Sequence, residues 1–160
     1  MAKDKFVYVT YIRTTPEKLW EALRKPEFTR VYWSGVTQES DWKKGAAWKM
    51  IFADGTVGDA GEVVEIDPPR RLVLRWRNEF RPELKAEGYS LCTMEIEEGP
   101  GAVKLTIVHE IDQPKSKFIE AVSGGWPKVL ASLKSLLETG EALPSVVAKP
   151  GTCSGQSESR

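Results

Sequence analysis

The sequence GGWPKVLASLKSLLETG, residues 124–140, is the most informative segment for predicting the fold. Trp126, Leu130, Leu133 and Leu137 recur in it at helical spacing, which predicts an amphipathic helix. A helix with one apolar side must pack against another element, and the preceding hundred residues consist largely of strand-like runs. We therefore predict a curved sheet wrapped around one long C-terminal helix. The space between the two makes a ligand pocket the first functional hypothesis.

The N-terminal part predicts one strand followed by two short helices. Residues 6–13 (FVYVTYIR) are rich in β-branched and aromatic side chains, as is typical of a strand. Thr15-Pro16-Glu17 then provides an N-cap, a first-turn proline and a first-turn acid, so a helix should follow. Pro26 ends that helix and opens a second short helix at 26–33.

The middle of the chain predicts an antiparallel meander. Turn signals such as Asp54-Gly55 and Gly99-Pro100-Gly101 separate its apolar runs. We predict six strands, near 36–41, 46–53, 56–66, 71–79, 88–97 and 102–111. The fold class is thus α+β, with about seven antiparallel strands and two short helices between strands 1 and 2. Gly124-Gly125 and Pro127 argue for a kink or a restart of the final helix near Trp126.

Composition narrows the function classes. The 23 basic and 23 acidic side chains cancel and form no basic block, so we expect no nucleic-acid partner. The N-terminus has no apolar signal segment, and no run is long and apolar enough for a membrane span, so we expect a soluble, cytoplasmic protein. One histidine and two separated cysteines cannot supply the usual metal-ligand sets, and nucleotide-binding motifs are absent. We therefore expect no metal and no cofactor.

The last twenty residues differ from the rest. Residues 141–160 lose apolar periodicity and gain Ser, Gly and Pro. We predict one domain at 1–140 and a flexible tail at 141–160 without a catalytic role.

Several stretches together resemble one family. They are TTPEKLWEAL (14–23), Trp33 after the small helices, KKGAAWKM (43–50) before Asp54-Gly55, GEVVEIDPPRRLVLRW (61–76), and the helix at 125–140. In this order and spacing they resemble stand-alone homologues of the heat-shock-protein ATPase activator C-terminal domain, within the START-like helix-grip (SRPBCC) superfamily. The resemblance covers the chain from about Val7 to Gly140.

The resemblance implies a deep cavity between sheet and long helix that suits an apolar or amphipathic small molecule. The fold hosts binding proteins, ring cyclases and cochaperone domains alike, so the fold alone does not select a function.

Tryptophans are the first ligand-binding candidates. Four of the six fall where the helix-grip arrangement puts the cavity or its mouth: Trp33, Trp48, Trp76 and Trp126. Met50 alternates with Trp48 and belongs to the same set, and we predict Trp126 and Trp48 as lining residues. Aromatic walls with a few polar groups are the usual lining of small-molecule sites. The alternative is that at least half of these indoles simply fill the core.

His109 is the polar candidate. It shares the apolar face of the alternating strand around Leu105 and Ile107, so it needs a polar partner, a water or a ligand. We favour a histidine paired with a neighbouring side chain over a catalytic one, and we still predict that His109 is the polar residue that contacts a ligand. Phe118 and Val122, one helical turn apart, form either a lid over the cavity or ordinary helix packing.

Two acidic residues have an ambiguous direction. Asp59 and Glu62 lie in a strand with poor alternation, where Gly58 and Gly61 suggest a bulge. A carboxylate that points inward would be a general base with a raised pKa. We favour the interpretation that both face solvent.

Three function classes follow. The first is a non-catalytic protein that binds a hydrophobic or aromatic small molecule. The second is a cyclase- or hydratase-type enzyme in which His109 or an inward carboxylate moves a proton. The third is a cochaperone-like interaction domain; the eukaryotic activator has an additional N-terminal domain that this chain lacks, so we expect that role not to transfer. An exposed strand edge offers a homodimer surface, although no residue requires one.

Overall fold

The computed structural model describes residues 3–144 and has the predicted α+β class. Seven strands form one curved antiparallel sheet in the order β1-β7-β6-β5-β4-β3-β2. The strands are β1 (Asp4–Ile12), β2 (Thr37–Ser40), β3 (Ala47–Ile51), β4 (Val57–Asp67), β5 (Arg71–Asn78), β6 (Ser90–Gly99) and β7 (Ala102–Ile111). All seven predicted strands are confirmed, with bounds that differ by no more than about three residues.

The two predicted short helices are also present. Helix α1 (Pro16–Arg24) begins where the side chain of Thr15 accepts a hydrogen bond from the Lys18 backbone N–H at 3.2 Å. Helix α2 (Pro26–Tyr32) follows directly, because Pro26 cannot continue α1 and suits a first helical turn. The pair lies between β1 and β2, as predicted.

One short helix was not predicted. Helix α3 (Pro82–Lys85) falls in the polar stretch 81–88, which we interpreted as a connection. Four residues are too few to show helical periodicity in the sequence. The helix matters because it buries Leu84 against the rest of the core.

The long helix α4 (Lys117–Thr139) is continuous. The side chain of Ser116 caps it, accepting from the Ile119 backbone N–H at 3.0 Å, and Gly140 ends it in the left-handed conformation. The predicted restart near Trp126 is wrong, because Pro127 lies inside the helix. Proline removes one helical hydrogen bond, and packing of the apolar face against the sheet outweighs that loss.

Strand β4 contains the predicted bulge. Met50 pairs with Asp59 and Ile51 pairs with Val57, so Gly58 is the extra residue between them. Gly61 is not part of this bulge, because it pairs regularly with Trp48 and Trp76. It allows a close approach of two strands. A Cβ atom at Gly61 would lie 1.7 Å from the carbonyl oxygen of Arg75, so only glycine allows β4 and β5 to approach this closely.

Within residues 3–144, no helix is both long enough and apolar enough to cross a membrane. The described elements end with α4, inside the predicted domain at 1–140. Of the predicted tail at 141–160, residues 145–160, including Cys153, lie outside the described residues.

Candidate functional site

A cavity of about 200 Å³ lies between the sheet and α4. Its lining is dominated by aromatic side chains from four parts of the chain: Trp33, Phe52, Trp76, Phe80, Phe118 and Trp126. Trp126 is central to this wall, since its ring centroid lies 5.8 Å from that of Trp33 and 5.8 Å from that of Trp76. The site is therefore an aromatic enclosure rather than a polar cleft.

The cavity reaches solvent on the side of α3. Phe80, Arg81 and Ala121 are the exposed members of the lining and mark its mouth. The ring of Phe80 packs edge-on against that of Phe52, with centroids 5.0 Å apart. The guanidinium of Arg81 donates through Nε and Nη2 to the carboxylate of Glu83, so its charge is already paired at the mouth.

A carboxyl group faces this aromatic enclosure. Asp59 is only 4% exposed, lines the cavity, and accepts a hydrogen bond from Trp76 Nε1 at 2.5 Å. Burial raises the pKa of Asp59 to about 7. The hydrogen bond from Trp76 lowers this pKa in part, and the nearby charge of Glu79 raises it further. The prediction that Asp59 faces solvent is therefore wrong. Glu62, the other acidic residue of this strand that we considered, is half-buried.

An amide lies beside this carboxyl group. Asn78 is the register partner of Asp59 across β4 and β5, is buried, and also lines the cavity. Its Oδ1 accepts from the Arg81 backbone N–H at 2.9 Å, which fixes the amide and leaves its NH₂ as a donor at the wall. Asp59 and Asn78 thus form one polar spot on an apolar surface.

His109 lies behind the wall, fully buried, and is absent from the lining. Its Nδ1 accepts from Trp126 Nε1 at 3.1 Å, and its Nε2 lies 2.9 Å from Ser90 Oγ. An indole N–H only donates, so the proton of the neutral ring is on Nε2 and is donated to Ser90. The Ser90 hydroxyl in turn donates to the Trp76 carbonyl at 2.9 Å.

This chain of hydrogen bonds decides the role of His109. Desolvation lowers its pKa to about 3, so the ring is neutral at physiological pH. Both ring nitrogens are already paired with protein groups. The structure pairs both ring nitrogens of His109 with neighbouring side chains, and this pairing leaves no nitrogen free for the ligand contact that we predicted for it.

Trp48 also lies outside the lining. Its Nε1 donates to Gln38 Oε1 at 2.9 Å, and Gln38 Nε2 donates to the Leu23 carbonyl at 2.6 Å. The indole packs on the far side of Trp76, with ring centroids 4.6 Å apart. Trp48 therefore fills the core between the sheet and α1 instead of bounding the cavity.

The structure brings six of the eight predicted site residues to one cavity. They are Trp33, Met50, Trp76, Phe118, Val122 and Trp126. Trp48 and His109 support that wall from behind, because each is fully enclosed by protein groups that satisfy its polar atoms.

Sequence reasoning missed the two buried polar residues of the lining, Asp59 and Asn78. Counting back in steps of two from the buried Val63 gives Gly61 and then Asp59 on the inner face, so a signal was present. It was hidden because Gly61 has no side chain to show its direction. Asn78 follows Trp76 by two residues and shares its inward face in the same way.

Other residue types give no further site in the described part of the chain. Cys92 is buried, and burial raises the pKa of its thiol, so it is inert. Within residues 3–144, no group of three or more His, Cys, Asp or Glu side chains is arranged to hold a metal ion.

Comparison with known proteins identifies relatives of this arrangement. The model of the family described as activator of Hsp90 ATPase homolog 1-like protein matches residues 13–138. A search of curated protein sequences gave no match.

Three solved structures illustrate the similarity of fold. A protein from Mesorhizobium loti is 22% identical, with a TM-score of 0.71 over 84% of this chain and 96% of the other. An HSP90 activator from Plasmodium falciparum is 22% identical, with a TM-score of 0.68 over 83% and 95%. The Aha1 dimer from Colwellia psychrerythraea gives 17% identity and a TM-score of 0.68 over 87% and 99%. At these identities the structures establish a shared fold.

Proposed function

Because the chain belongs to the family of activator of Hsp90 ATPase homolog 1-like proteins, we propose that it binds a small hydrophobic or aromatic molecule between the sheet and α4. The observation that carries this proposal is the aromatic cavity of about 200 Å³. Ligand sites are typically concave and apolar with a few well-placed polar groups. This cavity has that arrangement, because six aromatic side chains surround the polar groups of Asp59 and Asn78.

The size of the cavity suggests the size of the ligand. An apolar cavity of roughly 150 Å³ holds a benzene molecule. A space of about 200 Å³ with an open mouth therefore suits a ligand with one ring and a short substituent, or a longer molecule that extends past Phe80. We propose that the protein is located in the cytoplasm.

Native mass spectrometry of the freshly purified full chain is the first test. We expect a stoichiometric apolar passenger, which denaturation releases for identification. Neopentylbenzene, a neutral one-ring probe, is then titrated and followed by ligand-observed NMR. An empty protein that binds neither neutral nor charged aromatic probes would overturn the proposal.

A pair of variants locates the binding. Val122 lines the cavity, so Val122→Trp should fill it and weaken probe binding at least tenfold. Leu137→Trp is the control, because Leu137 is a partly buried residue of the same helix outside the lining. Equal binding by both variants would place the ligand elsewhere.

A second candidate is an enzyme of the cyclase or hydratase type. The observation that favours it is Asp59, a carboxyl group with a pKa raised to about 7 inside an apolar cavity, as a general acid–base group requires. We do not assign this task to His109, because it lies behind the wall and both its nitrogens are paired. The test incubates any recovered passenger with the protein and follows its mass; conversion that persists in Asp59→Asn would exclude this role.

We also propose that the chain forms a homodimer through β1. This strand is at the edge of the sheet and exposes Val7, Val9 and Tyr11, an apolar row that a second copy would cover. Light scattering should give twice the chain mass, and Val9→Lys should give the monomer. A wild-type protein that is monomeric at high concentration would contradict this surface.

A further inference from the structure

The carboxyl group of Asp59 has no counter-ion among the described residues. No lysine or arginine of residues 3–144 forms an ion pair with it, and Trp76 Nε1 is the one side-chain donor it receives there. A buried carboxylate without a cation is unfavourable, so such a group either takes up a proton or binds a cation. Because Asp59 lines the cavity, that cation has a place to bind.

The walls around Asp59 suit a cation as well. Trp33, Trp76 and Trp126, together with three phenylalanines, bound the same space. The faces of aromatic rings attract ammonium groups, and aromatic cages are a known arrangement for binding alkylated ammonium ions. The same space therefore combines a buried carboxyl group with aromatic faces, and both attract an ammonium ion.

We propose that the ligand of this cavity is a small organic ammonium ion with apolar substituents, bound with its charge against Asp59 and its substituents against the tryptophans. This inference rests on the proposed function of the cavity and specifies the ligand class. The NH₂ group of Asn78, beside Asp59, is a donor to any oxygen that such a ligand carries.

The pH dependence of cation binding follows from the ionisation of Asp59 and from the charged groups near it. Glu79, just after β5, pairs with Arg77 and Lys85 and adds a small negative potential, and Arg81 at the mouth is paired with Glu83. Strand β3 and helix α4 contribute only uncharged side chains to the lining. With the pKa of Asp59 raised to about 7, a cation binds better as the pH rises, because its binding requires the carboxylate.

The experiment uses two probes of nearly equal shape. Benzyltrimethylammonium carries a permanent charge, and neopentylbenzene replaces its nitrogen by carbon. At pH 8 we expect the ammonium probe to bind the full chain at least tenfold more tightly than the neutral one. Between pH 8 and pH 6 its affinity should fall about tenfold, as the deprotonated fraction of Asp59 decreases, while that of neopentylbenzene stays constant.

The variant Asp59→Asn gives the matched control. Its amide oxygen still accepts from Trp76 Nε1, so the wall keeps its shape while the charge is lost. The variant should bind both probes about equally and without pH dependence. The pH dependence of the wild-type protein is an independent measurement should this variant fold poorly.

The outcomes separate the two proposals. Binding of neopentylbenzene without any preference for the ammonium probe would overturn the ammonium inference and leave the hydrophobic site standing. A preference for the anion 3-phenylpropanoate would also overturn it and would identify Arg81 as the recognition group. Failure of all three probes to bind would overturn both proposals.

Discussion

The indole Nε1 of Trp126 donates to Nδ1 of His109 across 3.1 Å and so joins α4 to β7 behind the cavity. This bond faces away from the ligand space, because Trp126 belongs to the lining and His109 does not. The only histidine of the chain thereby orients the central aromatic side chain of the site. In the proposed binding function, its contribution is to position Trp126.

The first prediction concerns acid stability. The pKa of His109 is lowered to about 3 by burial, against about 6.5 in an unfolded chain. The unfolded state therefore binds an additional proton between these values, and the free energy of unfolding should fall by up to about 1.4 kcal/mol per unit as the pH drops from 6.5 towards 3.

Urea unfolding at several pH values checks this. The variant His109→Gln, whose amide can accept from Trp126 and donate to Ser90, should lack this component of the slope. Cys92→Ala, at the register partner of His109, should keep it, because the thiol does not titrate in this range. Identical slopes in wild type and His109→Gln would show that the imidazole is not neutral when folded.

The second prediction concerns Asp59, whose contribution to the free energy of unfolding decreases as the pH rises. The pKa of Asp59 is raised to about 7, so its contribution to stability is fully present below the unfolded value of about 3.9 and is lost as the pH rises through 7. Asp59→Asn should therefore be more stable than wild type at pH 8, with a much smaller difference at pH 4. Thermal unfolding at the two pH values measures this.

An exposed aspartate provides the control for that series. The pKa of Asp54 is lowered because it accepts the Thr56 backbone N–H, so Asp54→Asn should lose stability at pH 8. A loss of stability at pH 8 in Asp59→Asn as well would mean that the carboxylate is better solvated or better paired in solution than in the structure.

The strands could be predicted because their burial follows the sequence directly. In β7, buried residues alternate without exception from Val103 to Ile111, and His109 falls on the inner face by position alone. Alternation gives the direction of a side chain and not its partners, so it could not tell whether His109 meets a ligand or Trp126. That depends on where Trp126 of α4 meets β7, and a pattern within one element does not specify the contacts between two elements.

The polar part of the site was missed for a different reason. Asp59 follows the bulge at Gly58, which interrupts the period of two just where the carboxyl group turns inward. A sequence pattern assigns an acidic residue to solvent unless nearby side chains indicate otherwise, and Gly58 and Gly61 have no side chain that could do so. Its partner Trp76 lies on another strand and becomes visible only through the register.

The third prediction tests the support of the aromatic wall. Gln38 is buried and bridges Trp48 Nε1 to the Leu23 carbonyl. Gln38→Met keeps the approximate volume and leaves both groups without a partner, so it should cost about 1–3 kcal/mol for each unpaired group. Glu39→Met, on the exposed face of the same strand, should change the free energy of unfolding by less than about 0.5 kcal/mol. Equal effects would show that the bridge contributes nothing to stability.

The fourth prediction uses the glycines of α4. Gly124 and Gly125 lie inside a continuous helix, and a Cβ atom at either would meet no atom within 4 Å. Alanine favours a helix over glycine by about 1 kcal/mol, so Gly124→Ala and Gly125→Ala should each raise the free energy of unfolding by about 0.5–1 kcal/mol.

Gly61→Ala is the matched opposite case, because its Cβ would lie 1.7 Å from the Arg75 carbonyl oxygen. That variant should be strongly destabilised or fail to fold, since the two central strands β4 and β5 would have to separate. Chemical denaturation of the three variants decides the matter. If Gly124→Ala instead lowers stability, the helix is interrupted there in solution, and the wall formed by Phe118 and Val122 is a separate segment that can move relative to Trp126.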